Sequence, residues 1–342
     1  MSGSMTIGIF TGKPPSLITV AQGIAHAASK LGLDAEVVIG MRQFTEIARG
    51  YDKVIIFQPF YPSTAYAWVA LYSSLRMINR PCLFYTTAEG PPLPERVKDW
   101  TKRVELIANS EYTRSVLEEV GLNVVKVVPH GIIMDEINHA LTAARRSNDK
   151  GHDQRVVFGM VSSAIERKGL DKLPIIAEKC LEEAPEARIE VITTPEAPPE
   201  LMSLPNVKVM HAFGKLDRLQ LLSIMATWDF YLCVSHSEGF GLPMIEAQAM
   251  GIPCIHADFP PLSELLHPEN FRVRVTQVLD YQPEGYGAIW RLHMYDIDEM
   301  VEQIKRACDL RADEQAYETL SKKLVEYSKK FDAVEVYKEL VL

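Results

Sequence analysis

The sequence contains no apolar run long enough to cross a bilayer. Its longest apolar and aromatic stretch, Ala65–Tyr72, falls far short of the ~20 residues a transmembrane helix needs. No basic n-region and apolar h-region follow Met1-Ser2-Gly3-Ser4, so the start reads as an added or frayed end, not a signal peptide. Basic charge is scarce as well. Asp and Glu number 45 against 36 Lys and Arg, a net charge of −9. Coating a nucleic-acid polymer takes basic stripes, so that class is excluded, while a local positive pocket is not. Cysteine is sparse and unpatterned. Cys82, Cys180, Cys233, Cys254 and Cys308 form no C-x-x-C pair and have no His at ligand spacing. The odd count reads as reduced thiols in a cytoplasmic protein, and no metal site is expected. Low-complexity tracts and internal repeats are missing too. What is present is an ordinary globular composition, 47% hydrophobic and 24% charged. The 342 residues suffice for two domains of roughly 150 residues each.

Strand and helix signals alternate through the first half. Short apolar runs at Thr6–Phe10, Ala35–Ile39, Lys53–Phe57, Pro81–Thr86, Leu106–Asn109 and Val124–Val128 read as buried strands. A small-residue helix pattern covers Thr19–Leu31, and Gly32 suits its end. Met134–Gln154 is polar, a helical segment and then a linker whose loosest part is Ser147–Gly151. A second series follows at Arg155–Met160, Ala187–Ile192, Val207–Met210, Phe230–Val234 and Pro253–His256. Continuous apolar strands separated by helices imply parallel sheets covered on both faces. The expected class is α/β, with two Rossmann-like parallel-sheet domains facing across a cleft, the favoured place for a ligand. The expected boundaries are 1–150, 151–325 and a C-terminal helix, 326–342, crossing back to the N-terminal domain. Gln58–Tyr72 concentrates aromatics. It fits either core plus a helix face or an acceptor or membrane-surface patch.

The most informative stretch is Ser235-His236-Ser237-Glu238-Gly239-Phe240-Gly241-Leu242-Pro243-Met244-Ile245-Glu246-Ala247. It follows an apolar strand directly. Pro243 sits where a helix would begin, and Gly251 and Pro253 supply a stop. The order is strand, glycine loop, helix N-terminus, which exposes N–H groups and favours an anion such as diphosphate. Gly239 and Gly241 let the backbone approach a ligand closely. Glu238 and Glu246 add carboxylates that accept hydrogen bonds from vicinal hydroxyls of sugars and ribose. On spacing alone an alternative stays open: Glu246 complements the helix dipole and Glu238 is solvated. Gly12-Lys13 is not a P-loop, because Pro14 stands where Ser or Thr should follow the lysine. Gly8 and Gly12 do not form a dinucleotide fingerprint either.

The stretch resembles the E-G-F-G-L-P-x-x-E-A signature of retaining glycosyltransferase family 4, whose fold is GT-B. The E-x7-E pattern is intact as Glu238 and Glu246. His211–Leu216 resembles the family's loop before the helix preceding the signature. Ile107–Tyr112 resembles its A-x-S-x-x-T/Y segment, and Val127–Ile132 its V-I-P-N-G-V segment. The resemblance implies that Glu238 contacts donor-sugar hydroxyls and that Glu246 accepts from ribose. It places Gly239, Phe240, Gly241, Leu242 and Pro243 around the sugar and diphosphate. Base and sugar choice fall to the loops around Phe213–Leu216 and Glu238–Leu242. Lys168 matches the family's phosphate-binding lysine and follows the first strand of the second domain, where loops gather at the cleft; the alternative is a solvated helix-start charge. Gly12, Lys13, Thr87 and His130 are expected to line the cleft or the acceptor site.

Three departures from the family pattern are visible. Its arginine before the lysine is replaced by Ser162 and Ser163, with Arg167 the nearest substitute. Its Gly-Gly loop is replaced by Gly12-Lys13-Pro14-Pro15-Ser16. Its catalytic-loop histidine is missing from Thr86-Thr87-Ala88-Glu89-Gly90, so Glu89 or Thr87 would do its orienting work, or the chemistry is altered. The expected activity is metal-independent, retaining glycosyl transfer without a cofactor. The donor is a nucleotide diphosphate sugar (UDP or GDP), and the acceptor a glycan, a lipid-linked or a small molecule. The alternatives are a catalytically weak nucleotide-sugar-binding protein or partner subunit, and a sugar-nucleotide epimerase. The expected location is the cytoplasm, with peripheral contact of the N-terminal domain at the inner membrane face as a further expectation.

Overall fold

The computed structural model describes residues 5–40, 47–147 and 155–342. The end Met1–Ser4, the linker residues 148–154 and the expected 150/151 boundary lie outside the described residues. The chain divides into two compact units. One comprises Met1–Ile133, Asp280–Arg291 and Lys330–Leu342; the other comprises Met134–Leu279 and Leu292–Lys329.

The first unit is built on a six-stranded parallel sheet. Its strands are β1 (Thr6–Thr11), β2 (Asp34–Ile39), β3 (Lys53–Phe57), β4 (Cys82–Thr86), β5 (Glu105–Ala108) and β6 (Asn123–Val127), in the order β2-β1-β3-β4-β5-β6. Ile9 faces Val37 on one side and Ile55 on the other. Strands β1, β3 and β4 are almost wholly buried, which is why they read as unbroken apolar runs. The covering helices are α1 (Pro15–Lys30), α2 (Pro62–Met77) and α3 (Glu111–Glu118). Helix α1 starts four residues before the periodic pattern, because Pro15 suits a first helical position. The aromatic stretch is core: α2 buries Ala65, Trp68, Val69, Leu71, Tyr72 and Leu75. Ser110 caps α3 by accepting from Thr113 N at 3.0 Å.

The second unit opens with α4 (Met134–Ser147). Its sheet consists of β7 (Val156–Val161), β8 (Ala187–Ile192), β9 (Val207–Met210), β10 (Phe230–Leu232), β11 (Cys254–Ala257) and β12 (Phe271–Val273). The order is β12-β11-β10-β7-β8-β9, again parallel. The helices are α5 (Leu173–Glu183), α6 (Arg218–Met225), α7 (Leu242–Ala249), α8 (Leu262–Leu265), α9 (Ile297–Ala312) and α10 (Glu314–Ser328). Gly159 on β7 lies under the Trp228 indole, where any Cβ would collide with the ring. Strand β12 is three residues long and carries Arg272, so no apolar run marks it. A two-stranded ribbon, β13 (Val275–Tyr281) and β14 (Trp290–Tyr295), also escapes the run criterion.

Helix α10 gives way to a 3-10 turn and α11 (Ala333–Val341), which packs on α1 in the first unit. The Tyr337 ring there lies 3.1 Å from where a Cβ on Gly23 would project. Among the described residues no helix is long and apolar enough to cross a membrane. All five cysteines are buried free thiols.

Candidate functional site

In each sheet the chain reverses direction at one place, between β1 and β3 in the first and between β7 and β10 in the second. Ligands of open α/β sheets gather outside the carboxyl ends of the strands at such a switch point. The loop after β7 carries Ser162, Ser163, Arg167 and Lys168. The loop after β10 carries Ser235–Gly241. The second unit thus brings the donor-site candidates together at its own switch point.

A 3-10 turn, Glu166–Lys168, holds the first loop against the second. His236 N and Ser237 N donate to Arg167 O at 2.8 and 3.2 Å, and Arg167 Nη1 donates to Ser237 O at 2.8 Å. Gly169 closes the turn with φ +65°, and a Cβ there would overlap the Val234 carbonyl oxygen. The clamp leaves Lys168 Nζ 2.6 and 2.7 Å from the two oxygens of Glu238. Arg167 Nη1 lies 3.8 Å from Glu238 Oε2. Burial pushes the Glu238 carboxyl up. The Lys168 and Arg167 charges and the Lys168 and Ser235 hydrogen bonds outweigh it and hold the group below the usual carboxylate range.

Gly241 follows with φ +89° and forms the N-cap of α7; a Cβ there would sit 2.6 Å from Leu262 Cδ2. Pro243 lies in the first turn. Gly239, Phe240 and Gly241 are buried, and Leu242 and Pro243 are half-buried. The leading N–H groups of a helix lack partners within it, and the dipole adds a positive potential. Ser162 is buried, its hydroxyl donating to Ser163 O at 3.1 Å. Phe213 and Leu216 are half-buried in the turn before α6, where Phe213 N donates to Thr193 O at 3.2 Å.

Glu246 is not a lone carboxylate. Its Oε1 pairs with Arg218 Nη2, and Arg218 Nε donates to Glu136 Oε2 on α4 at 3.1 Å. Burial lifts the Glu246 carboxyl above its usual range. For Arg218 burial acts downward, but the two carboxylates outweigh it and raise the guanidinium further. Sequence reasoning missed Arg218. The signal was available: an arginine opening a helix opposes the macrodipole and calls for an acidic partner.

In the first unit, Glu89 and Thr87 follow β4 and Gly12 follows β1, all at the carboxyl edge of that sheet. Glu89 is buried and accepts from the Tyr61 hydroxyl, while its carbonyl accepts from Tyr112 Oη at 3.1 Å. Gly90 packs under the Ile289 carbonyl, where a Cβ would overlap. Gly12 is half-buried, and a Cβ there would lie 2.9 Å from Gln58 Nε2. Lys13 is exposed. His130 is buried in the core. Asn109 Nδ2 lies 3.1 Å from its Nε2, and Tyr85 Oη lies 2.7 Å from its Nδ1. Tyr85 also donates to Val128 O at 2.8 Å. Burial lowers the His130 pKa to about 3. Asn109 also donates to Thr87 Oγ1 at 2.9 Å, tying that loop to the histidine.

Residues 142–278 match the family model of glycosyl transferases group 1. Along nearly the whole chain, the protein is similar to an uncharacterized glycosyltransferase 335 of Sulfolobus islandicus rod-shaped virus 1. The identity is 28%, covering 97% of this chain and 98% of that protein. Among solved structures, Alr3699/HepE of Anabaena, in complex with UDP and glucose, superposes with a TM-score of 0.68 at 15% identity. The match covers 98% of each chain. Sucrose-phosphate synthase from Thermosynechococcus elongatus gives a TM-score of 0.68 at 15% identity, over 98% of this chain and 97% of that one. The fold is GT-B.

Proposed function

We propose that the protein transfers a sugar from a nucleotide diphosphate sugar to an acceptor, with retention at the anomeric carbon and without a metal. The observation that carries this reading is the Lys168–Glu238 pair, set in the loop that leads into α7. Negative charge develops on the leaving diphosphate. Pre-oriented N–H groups at a helix start, together with Lys168, would stabilise it in the transition state. Glu238, kept ionised, is the acceptor for donor-sugar hydroxyls. Retention and metal independence rest on the resemblance of the E-x7-E stretch to family 4. The neighbour solved with UDP and glucose supports a nucleotide sugar as donor and makes UDP the first nucleotide to test. On the acceptor side the proposed residues are Glu89, as the orienting group, with Thr87, Gly12 and Lys13.

A second reading, a nucleotide-sugar-binding protein of little catalytic power, draws on one observation. Ser162 and Ser163 stand where the family carries an arginine, and they leave Lys168 and Arg167 as the loop's cations. Turnover of labelled UDP- and GDP-sugars separates the two. Release of nucleotide, with a product of the donor's anomeric configuration, supports transfer. Binding without any release, even as slow hydrolysis, overturns it.

A further inference from the structure

The ion-paired state of Glu246 assigns a job to a residue that no signature names. We infer that Arg218 sets the ribose preference of the nucleotide site by fixing the Glu246 carboxylate as the acceptor for the sugar's vicinal diol. The inference rests on the nucleotide reading above.

The argument starts from direction. A buried carboxylate with two idle oxygens can rotate. Here Oε1 is held by Arg218, and Oε2 accepts no hydrogen bond among the described residues. One oxygen is anchored, which fixes the plane of the carboxylate and leaves the other to accept. The anchor is itself held. Glu136 binds the Nε edge of the same guanidinium at 3.1 Å, so Arg218 bridges α4 and α7 through two different nitrogens. Only a planar fork can do this; a lysine is a point charge on a flexible stem. The base of the fork is rigid as well. Asp217 caps α6 by accepting from Gln220 N at 2.8 Å, while Gln220 Oε1 accepts from Asp217 N at 3.0 Å, a reciprocal capping box.

Placement supports the same role. Arg218 lies two positions after Leu216, in the turn proposed to choose the base, and its partner lies on the helix proposed to face the diphosphate. A cation at this helix start is electrostatically disfavoured. Its side chain is nevertheless only 21% exposed, with Glu246 at 2%. A buried ion pair is weak as a stabilising device, since apolar replacements are often as good. Orientation of a ligand is the role that repays the charge.

The test uses the full chain and calorimetric titration of UDP, GDP and ADP, each against its 2′-deoxy counterpart. In the wild-type protein the ribonucleotide is expected to bind about tenfold or more tighter, the worth of a hydrogen bond to a charged group. In Arg218→Ala and Arg218→Lys the ribo and deoxy affinities converge, with deoxynucleotide affinity near the wild-type value. Arg218→Lys retains the charge, and its thermal midpoint reports folding. Preserved preference in both variants, or equal weakening of ribo and deoxy forms, overturns the inference. A wild-type protein that binds both forms equally also overturns it and leaves the nucleotide site standing. A wild-type protein that binds none of the diphosphates removes the nucleotide reading itself.

Discussion

Lys168 Nζ sits between the two carboxylate oxygens of Glu238, 2.6 and 2.7 Å away. The contact joins the loop after β7 to the loop after β10, 70 positions apart in sequence. Removing either partner affects the other. Under the proposed roles, Glu238→Ala leaves the lysine for a phosphate but removes the carboxylate proposed to accept from donor-sugar hydroxyls. Lys168→Ala strands a buried carboxylate, at a cost of about 3–5 kcal/mol. Each is expected to cut transfer by about 10²–10³-fold. Initial rates with a labelled donor measure this, and circular dichroism separates lost chemistry from lost fold. Undiminished turnover in either variant excludes that residue from the reaction.

His130 predicts an acid-sensitive stability. Its pKa is lowered to about 3 by burial, while an unfolded histidine titrates near 6.5. Between those values the unfolded chain binds one more proton than the folded one. Stability therefore falls as pH drops through the window, by about 1.4 kcal/mol per unit for this group. His256, lowered to about 4 by burial, adds a contribution of the same sign. Urea unfolding at pH 7, 5.5 and 4 should show a shallower decline in His130→Gln than in the wild type. Parallel curves would refute this.

Two glycines with positive φ should respond differently to alanine. Gly169 has φ +65° and no space for a Cβ, because the Val234 carbonyl fills it. Gly32 has φ +76° and open space around it. Gly32→Ala should cost about 1 kcal/mol, the left-handed strain alone. Gly169→Ala should cost about 2–4 kcal/mol, since backbone must also move. It should weaken nucleotide binding too, because the turn positions Lys168. Denaturant midpoints compare the pair, and equal losses would be the contrary result.

The thiols should be silent in the folded protein. Burial raises the Cys82, Cys180 and Cys233 thiols to about 12, far above neutral pH. Cys254 and Cys308 are raised in the same direction, again by burial. A thiol reagent at pH 7.5 should react slowly with native protein. It should then find all five of the sequence's cysteines in denaturant. Rapid labelling in the native state would show one of them exposed.

The strands that were legible in the sequence are those whose burial makes them continuous apolar runs, such as Ile7–Phe10, Val54–Phe57 and Phe230–Val234. The signature loop was legible because glycine, proline and carboxylate each answer a separate physical demand at a fixed spacing. The rest depends on distance in space. Arg218 is 28 positions from Glu246 and 82 from Glu136, and nothing local ties them. His130 carries no periodic mark of its burial, since its partners Tyr85 and Asn109 come from β4 and from the loop after β5. Strands β12 to β14 are too short or too polar to stand out from loop. The paired tail helices share a helical composition, and composition does not say where Asp332 will interrupt them by capping α11.

The way the chain threads its two units carries a consequence for synthesis. Helix α1 finds its partner α11 only in residues 333–341, and Ile132 N donates to Phe331 O at 2.8 Å. On the ribosome the first sheet can assemble early, but one flank stays uncovered until the last turns of helix emerge. A nascent chain stalled before Lys330 would leave the Gly23 side of α1 without Tyr337, a surface of the kind chaperones hold.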